Sequence, residues 1–259
     1  MSDRLISLNL WVLGSLLVVG IPLVVVAVQA LIRRLVPSIV EGEHNDVAGF
    51  LIAVVGVVYA VTLAFIVIVT WEAFGAARDT VNSEAAALRG VYRDTRVLPE
   101  PTASQAGQLV VRYADEVAVG EWAAMDKGGS SPAAFDLLGD MFTTLGTVKD
   151  LTPTQETFLA DALDRLNDVT ARRSNRISAA AESTPGVLWA AIILGGIVTM
   201  GFALLFGVSN ERLHYLMVGG FAAVLAIQVF VILVLSHPFA GSIRVSPEPF
   251  ARIVHDFRS

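Results

Sequence analysis

The residues that carry most enzyme chemistry are either missing from this chain or too far apart to cooperate. The sequence contains no cysteine, which excludes disulfides, thiol nucleophiles and cysteine-based metal sites. No acid–base pair, phosphate-binding loop or nucleophile motif is found, and the histidines never stand at metal-ligand spacing: His44, His214, His237 and His255. We therefore expect no enzyme, no metal site and no cofactor.

The composition is that of a membrane protein. Hydrophobic residues make up 54% of the 259 residues and charged residues only 16%, whereas soluble domains carry about 25% charged residues. The net charge of −6 offers no basic patch of the kind that nucleic-acid binding needs. We expect membrane lipid as a partner and no nucleic acid.

Thr62 is a hydroxyl inside an apolar stretch, and it belongs to a bulky stripe at helical spacing. The other members of this pore-candidate stripe are Leu51, Val58, Phe65 and Val69. Repeated around a symmetry axis, such residues could form an apolar gate that closes by dewetting. Alternatively, this stripe faces lipid and the small-residue stripe on the opposite side of the helix faces the axis.

Two further polar residues stand at informative positions. Glu72 follows Trp71, a residue type typical of the membrane interface, at the point where the chain leaves an apolar stretch. Around an axis Glu72 would form a carboxylate ring that concentrates cations; alternatively, it only begins the polar surface. Gln228 lies deep in the last apolar stretch, where it faces a pathway or bonds to a neighbouring helix, and we favour the bond.

Three arginines precede the third apolar stretch: Arg172, Arg173 and Arg176. They could line an anion vestibule or contact anionic lipid head groups. We favour pairing with carboxylates of a facing antiparallel helix, namely Asp79, Glu84 and Asp94. Glu84 together with Asn167 is a further candidate for a polar network or ion site.

Four apolar segments position these residues, and each is long enough to cross a bilayer core of about 30 Å. They cover about residues 8–32, 47–71, 187–208 and 213–235. A signal peptide is the alternative for the first segment, because residues 27–30 resemble a cleavage site, but the apolar run is too long for one. Pro22 predicts a kink in this segment.

The second segment continues into a charged stretch that keeps helical spacing, so residues 47–98 predict one helix that begins in lipid and leaves it. At 1.5 Å per residue it is roughly 75 Å long. Its small residues form a stripe suited to close helix packing: Gly49, Ala53, Gly56, Ala60 and Ala64. A second ladder in the third segment predicts another helix contact: Ala191, Gly195, Thr199, Ala203 and Gly207.

The polar region, residues 72–186, reads as helical throughout. Helices are predicted at about 103–126 and 153–181, with a shorter one between them. Thr152 and Gln155 form a capping box that starts the later helix. Residues 1–71, 72–186, 187–236 and 237–259 are thus the expected parts of the chain, the last carrying a short amphipathic helix.

Orientation follows from arginines near the membrane, because cytoplasmic loops carry more of them. Four spans place seven on the side of the termini and the polar region (Arg4, Arg78, Arg172, Arg173, Arg176, Arg244, Arg252) and three on the other (Arg33, Arg34, Arg212). We expect an inner-membrane protein with cytoplasmic termini and a cytoplasmic polar region. The Arg33–Arg34 pair argues for the reverse.

Several phrases resemble a family of mostly bacterial membrane proteins described as bestrophin-like. They are Trp71-Glu72-Ala73, Glu84 to Tyr92, Glu121-Trp122, Asn167 with Arg172-Arg173, Pro185 to Trp189, Phe206-Gly207 and Pro238 to Phe250. The resemblance covers most of the chain from residue 47 onward. It implies an all-α membrane protein with four transmembrane helices and a helical cytosolic region between the second and third.

The true bestrophins share this layout and are homopentameric chloride or cation channels. The resemblance therefore implies a passive, homo-oligomeric channel for inorganic ions, a pentamer if it follows the bestrophins, with the second segment lining the pore. The alternative is a membrane-anchored, oligomeric interaction or sensor protein without transport activity. The scarcity of charges within the spans argues against a proton-coupled transporter.

Overall fold

The computed structural model describes residues 9–36, 45–182, 184–208 and 210–258. Arg4 and His44, considered above, lie outside the described residues. Within these ranges the chain is all-α and forms no strand, which confirms the predicted fold class.

Ten α-helices are described, with a π-helical turn at Val117–Glu121. In chain order they are α1 (Leu10–Val18), α2 (Gly20–Leu35), α3 (Asn45–Thr95), α4 (Thr102–Glu116), α5 (Trp122–Met125), α6 (Pro132–Gly146), α7 (Pro153–Ala181), α8 (Gly186–Leu204), α9 (Glu211–Leu235) and α10 (Glu248–Arg258).

Four segments of the described chain are long and apolar enough to cross a membrane. They are α1 with α2, the first half of α3, the apolar helix α8 and the final long apolar helix α9. Their number and order agree with the four predicted spans.

The first span is broken near Pro22, as the sequence predicts. Pro22 has no N–H to donate to the Val18 carbonyl, so the helical ladder loses a bond at this turn. The break lies at Val19, whose backbone leaves the helical average at φ −104° and ψ −43° and separates α1 from α2.

Helix α3 runs for 51 residues without interruption, as the absence of proline predicts. Its threonines do not break it, because their hydroxyls donate to carbonyls of the preceding turn. Thr62 donates to the Val58 carbonyl at 2.9 Å, Thr70 to that of Ile66 at 2.9 Å and Thr80 to that of Ala76 at 2.9 Å.

The chain forms two compact units. The first, the membrane unit, contains the described residues up to Ala73, those of the range 184–236 and residues 241–243. The second, the polar unit, contains residues 74–182, 237–240 and 244–258. The tail, which the sequence sets apart as a segment of its own, thus divides mostly into the polar unit.

Within the membrane unit, α3 and α8 approach closely at the predicted small-residue ladder. The Tyr59 hydroxyl donates to the Ile192 carbonyl at 2.8 Å. A Cβ added to Gly195 would lie 2.5 Å from the Tyr59 ring, so only glycine fits there. Asn45 bonds both the amide and the carbonyl of Gly207, at 2.8 and 2.7 Å. The ladder is therefore a helix contact, as predicted, although Ala191 is exposed.

Within the polar unit, the second half of α3 packs with α4, α6, α7 and the tail around one apolar core. Its fully buried members include Leu88, Tyr113, Met141, Leu166 and Phe250. The capping box that starts α7 is present: the Thr152 hydroxyl accepts from the Gln155 amide, and the Gln155 side chain accepts from the Thr152 amide.

The predicted helix over residues 103–126 is interrupted by the π-helical turn. The Trp122 amide donates to the Val117 carbonyl, five residues earlier, which marks one extra residue in this turn. Glu121 is the last residue of this turn, and its side chain is fully buried and paired with two arginines.

Candidate functional site

The pore-candidate stripe of α3 is uncovered within the membrane unit. Phe65 is 65% exposed, Val58 63%, Val69 55% and Leu51 39%. Thr62 is half-buried and keeps acceptor capacity on the hydroxyl that donates to Val58. The face of α3 that carries Tyr59, Leu63 and Ile66 is buried instead. The stripe is thus free to meet lipid, another copy of the chain or a central axis.

Trp71 and Glu72 are both exposed at the end of this stretch of α3. They border a shallow apolar groove of about 450 Å³ that also contains Phe230 and Leu235. Glu72 is therefore a carboxylate at the edge of an apolar surface.

The small-residue stripe of α3 does not pack against a described helix of its own unit, so the helix packing that the sequence predicts for it stays a prediction. Gly49 faces Phe206, but a Cβ at Gly56 would meet nothing within 4 Å. Ala53, Gly56, Ala60 and Ala64 instead line a large groove, because the buried face of α3 is centred on Tyr59 and not on these residues.

This membrane-unit groove measures about 890 Å³ and lies between α3, α8 and α9. Its polar lining comes from a few residues: Tyr59, Thr199, His214 and Gln228. In the part of the chain that the structure describes, Gln228 makes no hydrogen bond to a neighbouring helix; it is half-buried and faces this groove.

A buried ionic cluster occupies the polar unit. Arg176 donates to both oxygens of Glu84, from Nε at 2.7 Å and from Nη2 at 3.0 Å, and also to Glu121 at 2.8 Å. Arg173 donates to Glu121 and to the Ser131 carbonyl. Two cations thus face two anions. Glu84, Glu121 and Arg176 are each 0% exposed.

The cluster is completed by uncharged neighbours. The Tyr113 hydroxyl donates to Glu84 at 2.8 Å, and Arg176 Nη1 contacts Met125 Sδ. The guanidinium of Arg176 lies 5.3 Å from the Trp122 ring centre and 5.7 Å from that of Phe250. These contacts fill the space around the charges.

The cluster changes the pKa of two members. Burial, followed by the nearby Glu84 carboxylate, raises the pKa of Tyr113 well above its ordinary value. Burial opposes the charge on Arg176, but Glu84 and Glu121 outweigh it and raise the pKa of its guanidinium. Arg176 is therefore a permanent cation.

Some of the predicted polar-network residues form the expected ion pairs in the structure, and others have different partners. Glu84 meets Arg176, but Arg173 pairs with Glu121 of the π-helical turn rather than with α3. Arg172 is half-buried, and its Nε has no hydrogen-bond partner among the described residues. Asp94 pairs with Arg165, an arginine that the sequence analysis did not single out.

The structure does not bring Asn167 to Glu84, which corrects the predicted network between them. Asn167 is exposed, whereas Glu84 is 0% exposed. Asn167 lies nine residues before Arg176, which is two and a half helical turns, so the two side chains stand on opposite faces of α7.

Sequence reasoning missed Glu121, Tyr113 and Ser131 as cluster members. Glu121 stood only in a phrase that carried the family resemblance. A usable signal was present, since Glu121 precedes a tryptophan on a helix whose other inward residues are apolar, and a buried carboxylate requires a cation. The π-helical turn that directs Glu121 inward has no comparable signature.

Comparisons with known proteins agree with this architecture. A family model described as the Bestrophin-like domain matches residues 19–250. A crystal structure described as that of a membrane protein has a TM-score of 0.70 over 91% of this chain and 97% of its own, at 11% identity. At that identity the likeness shows the fold alone. The curated proteins contain no match.

Proposed function

The chain belongs to the Bestrophin-like family, and from this premise we propose that it is a homo-oligomeric passive ion channel of the inner membrane. In this proposal α3 lines the pore with Leu51, Val58, Thr62, Phe65 and Val69. Inorganic ions pass along it, and the number of subunits is that of the bestrophins, five.

The observation that carries the proposal is the uncovered stripe of α3. A pore-lining face must be uncovered in a single subunit, because only the assembled copies enclose the axis. Phe65 and Val58, 65% and 63% exposed, meet this requirement, while Leu63 on the neighbouring face, 3% exposed, does not. Rings of such side chains would gate by dewetting.

Glu72 would stand at one mouth of this pore. It is exposed directly after the stripe, and its copies would form a ring of carboxylates that raises the local cation concentration. The arginines that sequence reasoning considered for an anion vestibule offer less, because Arg173 and Arg176 are neutralised by buried carboxylates.

We further propose that the termini and the polar unit lie in the cytoplasm. This orientation rests on the excess of arginines flanking the membrane on that side. It is tested by labelling single cysteines in intact cells with a membrane-impermeant reagent. Position 149, in the loop before α7, should be protected, and position 212 should react.

The proposal is tested by reconstituting the purified chain in liposomes and recording ion flux and single-channel currents. We expect discrete currents from verified oligomers and none from empty vesicles. Glu72→Gln removes the carboxylate ring and should lower the ratio of cation to anion permeability several-fold, without abolishing conduction. Verified oligomers that are electrically silent would overturn the channel proposal.

The alternative function is that of a membrane-anchored interaction or sensor protein without transport. The observation that favours it is the polar unit, whose own core and satisfied ionic cluster make it a complete folded body. Silent oligomers that capture a defined partner through this unit would support it.

A further inference from the structure

We propose that the membrane-unit groove binds one phospholipid of the bilayer, with an acyl chain along the groove and its ester carbonyl at Thr199 and His214. The proposal does not depend on channel activity. It rests on the shape of the groove, on two buried polar atoms in its wall, and on their depth.

The groove opens sideways among residues that face the hydrocarbon of a membrane. Val57 is 64% exposed, Met217 58% and Val224 56%, and all three belong to its lining. Gly56 and Ala60 are small residues of the α3 wall, and a Cβ at Gly56 would meet nothing within 4 Å. An acyl chain can therefore enter laterally, without passing through water.

Thr199 provides the first unsatisfied polar atom. The residue is 1% exposed, and its hydroxyl has no hydrogen-bond partner within the described ranges of the chain. An unpaired hydroxyl in an apolar environment is unfavourable. A ligand that offers an acceptor would recover that cost.

His214 provides the second unsatisfied polar atom, and its contact with Arg33 determines which ring nitrogen carries the proton. Arg33 Nη2 lies 2.8 Å from His214 Nδ1, and Gln29 Nε2 lies 3.2 Å from the same atom. Because a guanidinium only donates, Nδ1 must accept. The neutral imidazole therefore carries its proton on Nε2.

This Nε2–H has no hydrogen-bond partner among the described residues. His214 is 2% exposed. The residues that line the groove thus include a buried hydroxyl and a buried N–H, which together suit a carbonyl oxygen. Because both atoms are buried, the proposed carbonyl reaches them only after the Thr199 and His214 side chains move.

The depth of these atoms matches an ester carbonyl. Thr199 lies five residues before the end of α8 and His214 three residues after the start of α9, which is about 8 Å and 5 Å along the helices. Ester carbonyls lie at the boundary of the hydrocarbon core. From His214 the groove continues to Gln228, fourteen residues or about 21 Å further, which accommodates the chain of one leaflet.

A second copy of the chain fits this groove less well than a lipid. The large exposed residues of the spans are apolar, so a docked helix would leave the Thr199 hydroxyl and the His214 N–H unpaired. An ester-linked phospholipid satisfies both atoms while its chain fills the apolar part.

The test compares two probes that differ only in the carbonyl. The purified full chain in detergent is mixed with phosphatidylethanolamine carrying ester-linked chains or with the diether analogue of the same head group and chains. Bound lipid is counted by native mass spectrometry. We expect the wild type to retain the ester lipid several-fold more than the diether.

Three variants locate the site. Thr199→Val keeps the shape but removes the hydroxyl, and should reduce the ester preference to a ratio near one. Ala60→Phe fills the groove and should lower retention of both lipids several-fold. Ala190→Phe is the matched control, because Ala190 is exposed on α8 and is not part of the groove; it should change neither.

Two results would overturn the proposal. The first is equal retention of the two lipids by the wild type, unchanged in Thr199→Val and in Ala60→Phe. The second is efficient cross-linking between copies through a single cysteine at position 60, which would show that a second copy occupies the groove. Thermal unfolding of each variant identifies any that does not fold, and Thr199→Val alone still decides the test.

Discussion

Arg176 shows how a full charge can stay inside a small protein core. Removing a guanidinium from water costs several kcal/mol, and only excellent pairing offsets this cost. Here six contacts supply it: two oxygens of Glu84, one of Glu121, the sulfur of Met125 and the rings of Trp122 and Phe250. Three separate segments of the chain meet at this one side chain.

Replacing Arg176 by leucine should therefore destabilise the protein strongly. The change leaves Glu84 and Glu121 buried without their shared cation, a loss that typically costs about 3–5 kcal/mol. We expect the thermal unfolding midpoint of the full chain in detergent to fall by about 10 °C. Arg252→Leu, which breaks an exposed pair with Glu248, is the control and should not shift it measurably. An unshifted midpoint in the Arg176 variant would show that the cluster does not hold the unit together.

Tyr113 should be the tyrosine of the polar unit that resists ionisation. Its raised pKa means that the neutral hydroxyl contributes stability that is complete below about pH 10. That contribution is lost as the pH rises from there toward the raised pKa. In ultraviolet phenolate titrations, folded wild type and Tyr113→Phe should give the same curve near pH 10. In denaturant the wild type should show one more phenol. An additional phenolate in the folded wild type near pH 10 would contradict the burial of this hydroxyl.

The faces of helix α3 differ in what they contact. The Tyr59 face packs on α8, where glycines leave room for the ring. The small-residue stripe borders the groove, and the bulky stripe is uncovered. One helix thus supplies a packing surface, a groove wall and a candidate pore lining.

Gly195→Leu should weaken the contact between α3 and α8. Its Cβ would overlap the Tyr59 ring, at 2.5 Å, and overpacking of this kind costs about 1–3 kcal/mol. Gly201→Leu is the matched control on the same helix, since a Cβ there meets nothing within 4 Å. We expect a lower unfolding midpoint for the first variant and little change for the second. Equal midpoints would mean that the ring moves aside at no cost.

The helices were largely predictable because their signals are local. Uninterrupted apolar runs, the absence of proline from residue 38 to residue 98 and the box of Thr152 with Gln155 depend on neighbours in sequence. The helix contact at the small-residue ladder of α8, which includes Gly195, was also predictable, because a strict repeat of small residues marks a close contact.

The sites were less predictable because they depend on rotation and on distant segments. The small-residue stripe of α3 has the same pattern as the ladder of α8, yet it borders a groove. The face of α3 that packs on α8 is instead the one that carries Tyr59, next to the small-residue stripe. Glu121 reached Arg173 and Arg176 only through a π-helical turn, and Asn167 failed to reach Glu84 because α7 turns it outward.

At the scale of the whole molecule, the membrane unit exposes large apolar side chains of α3, whereas the polar unit encloses its own core. The polar unit buries its charges and closes its core, whereas α3 leaves a row of large apolar residues uncovered. In the proposed channel, several copies of the chain assemble around that row and enclose the pore.

The most direct measurement is a single-cysteine scan of positions 51–69 of α3, made simple by the absence of native cysteine. A water-soluble thiol reagent is applied while current is recorded in planar bilayers. We predict rapid block at positions 51, 58, 62, 65 and 69, with a period of 3.6 residues, and no block at the buried positions 63 and 66. Uniform protection of the stripe, or block that follows Ala53, Gly56 and Ala60 instead, would contradict a pore lined by this face.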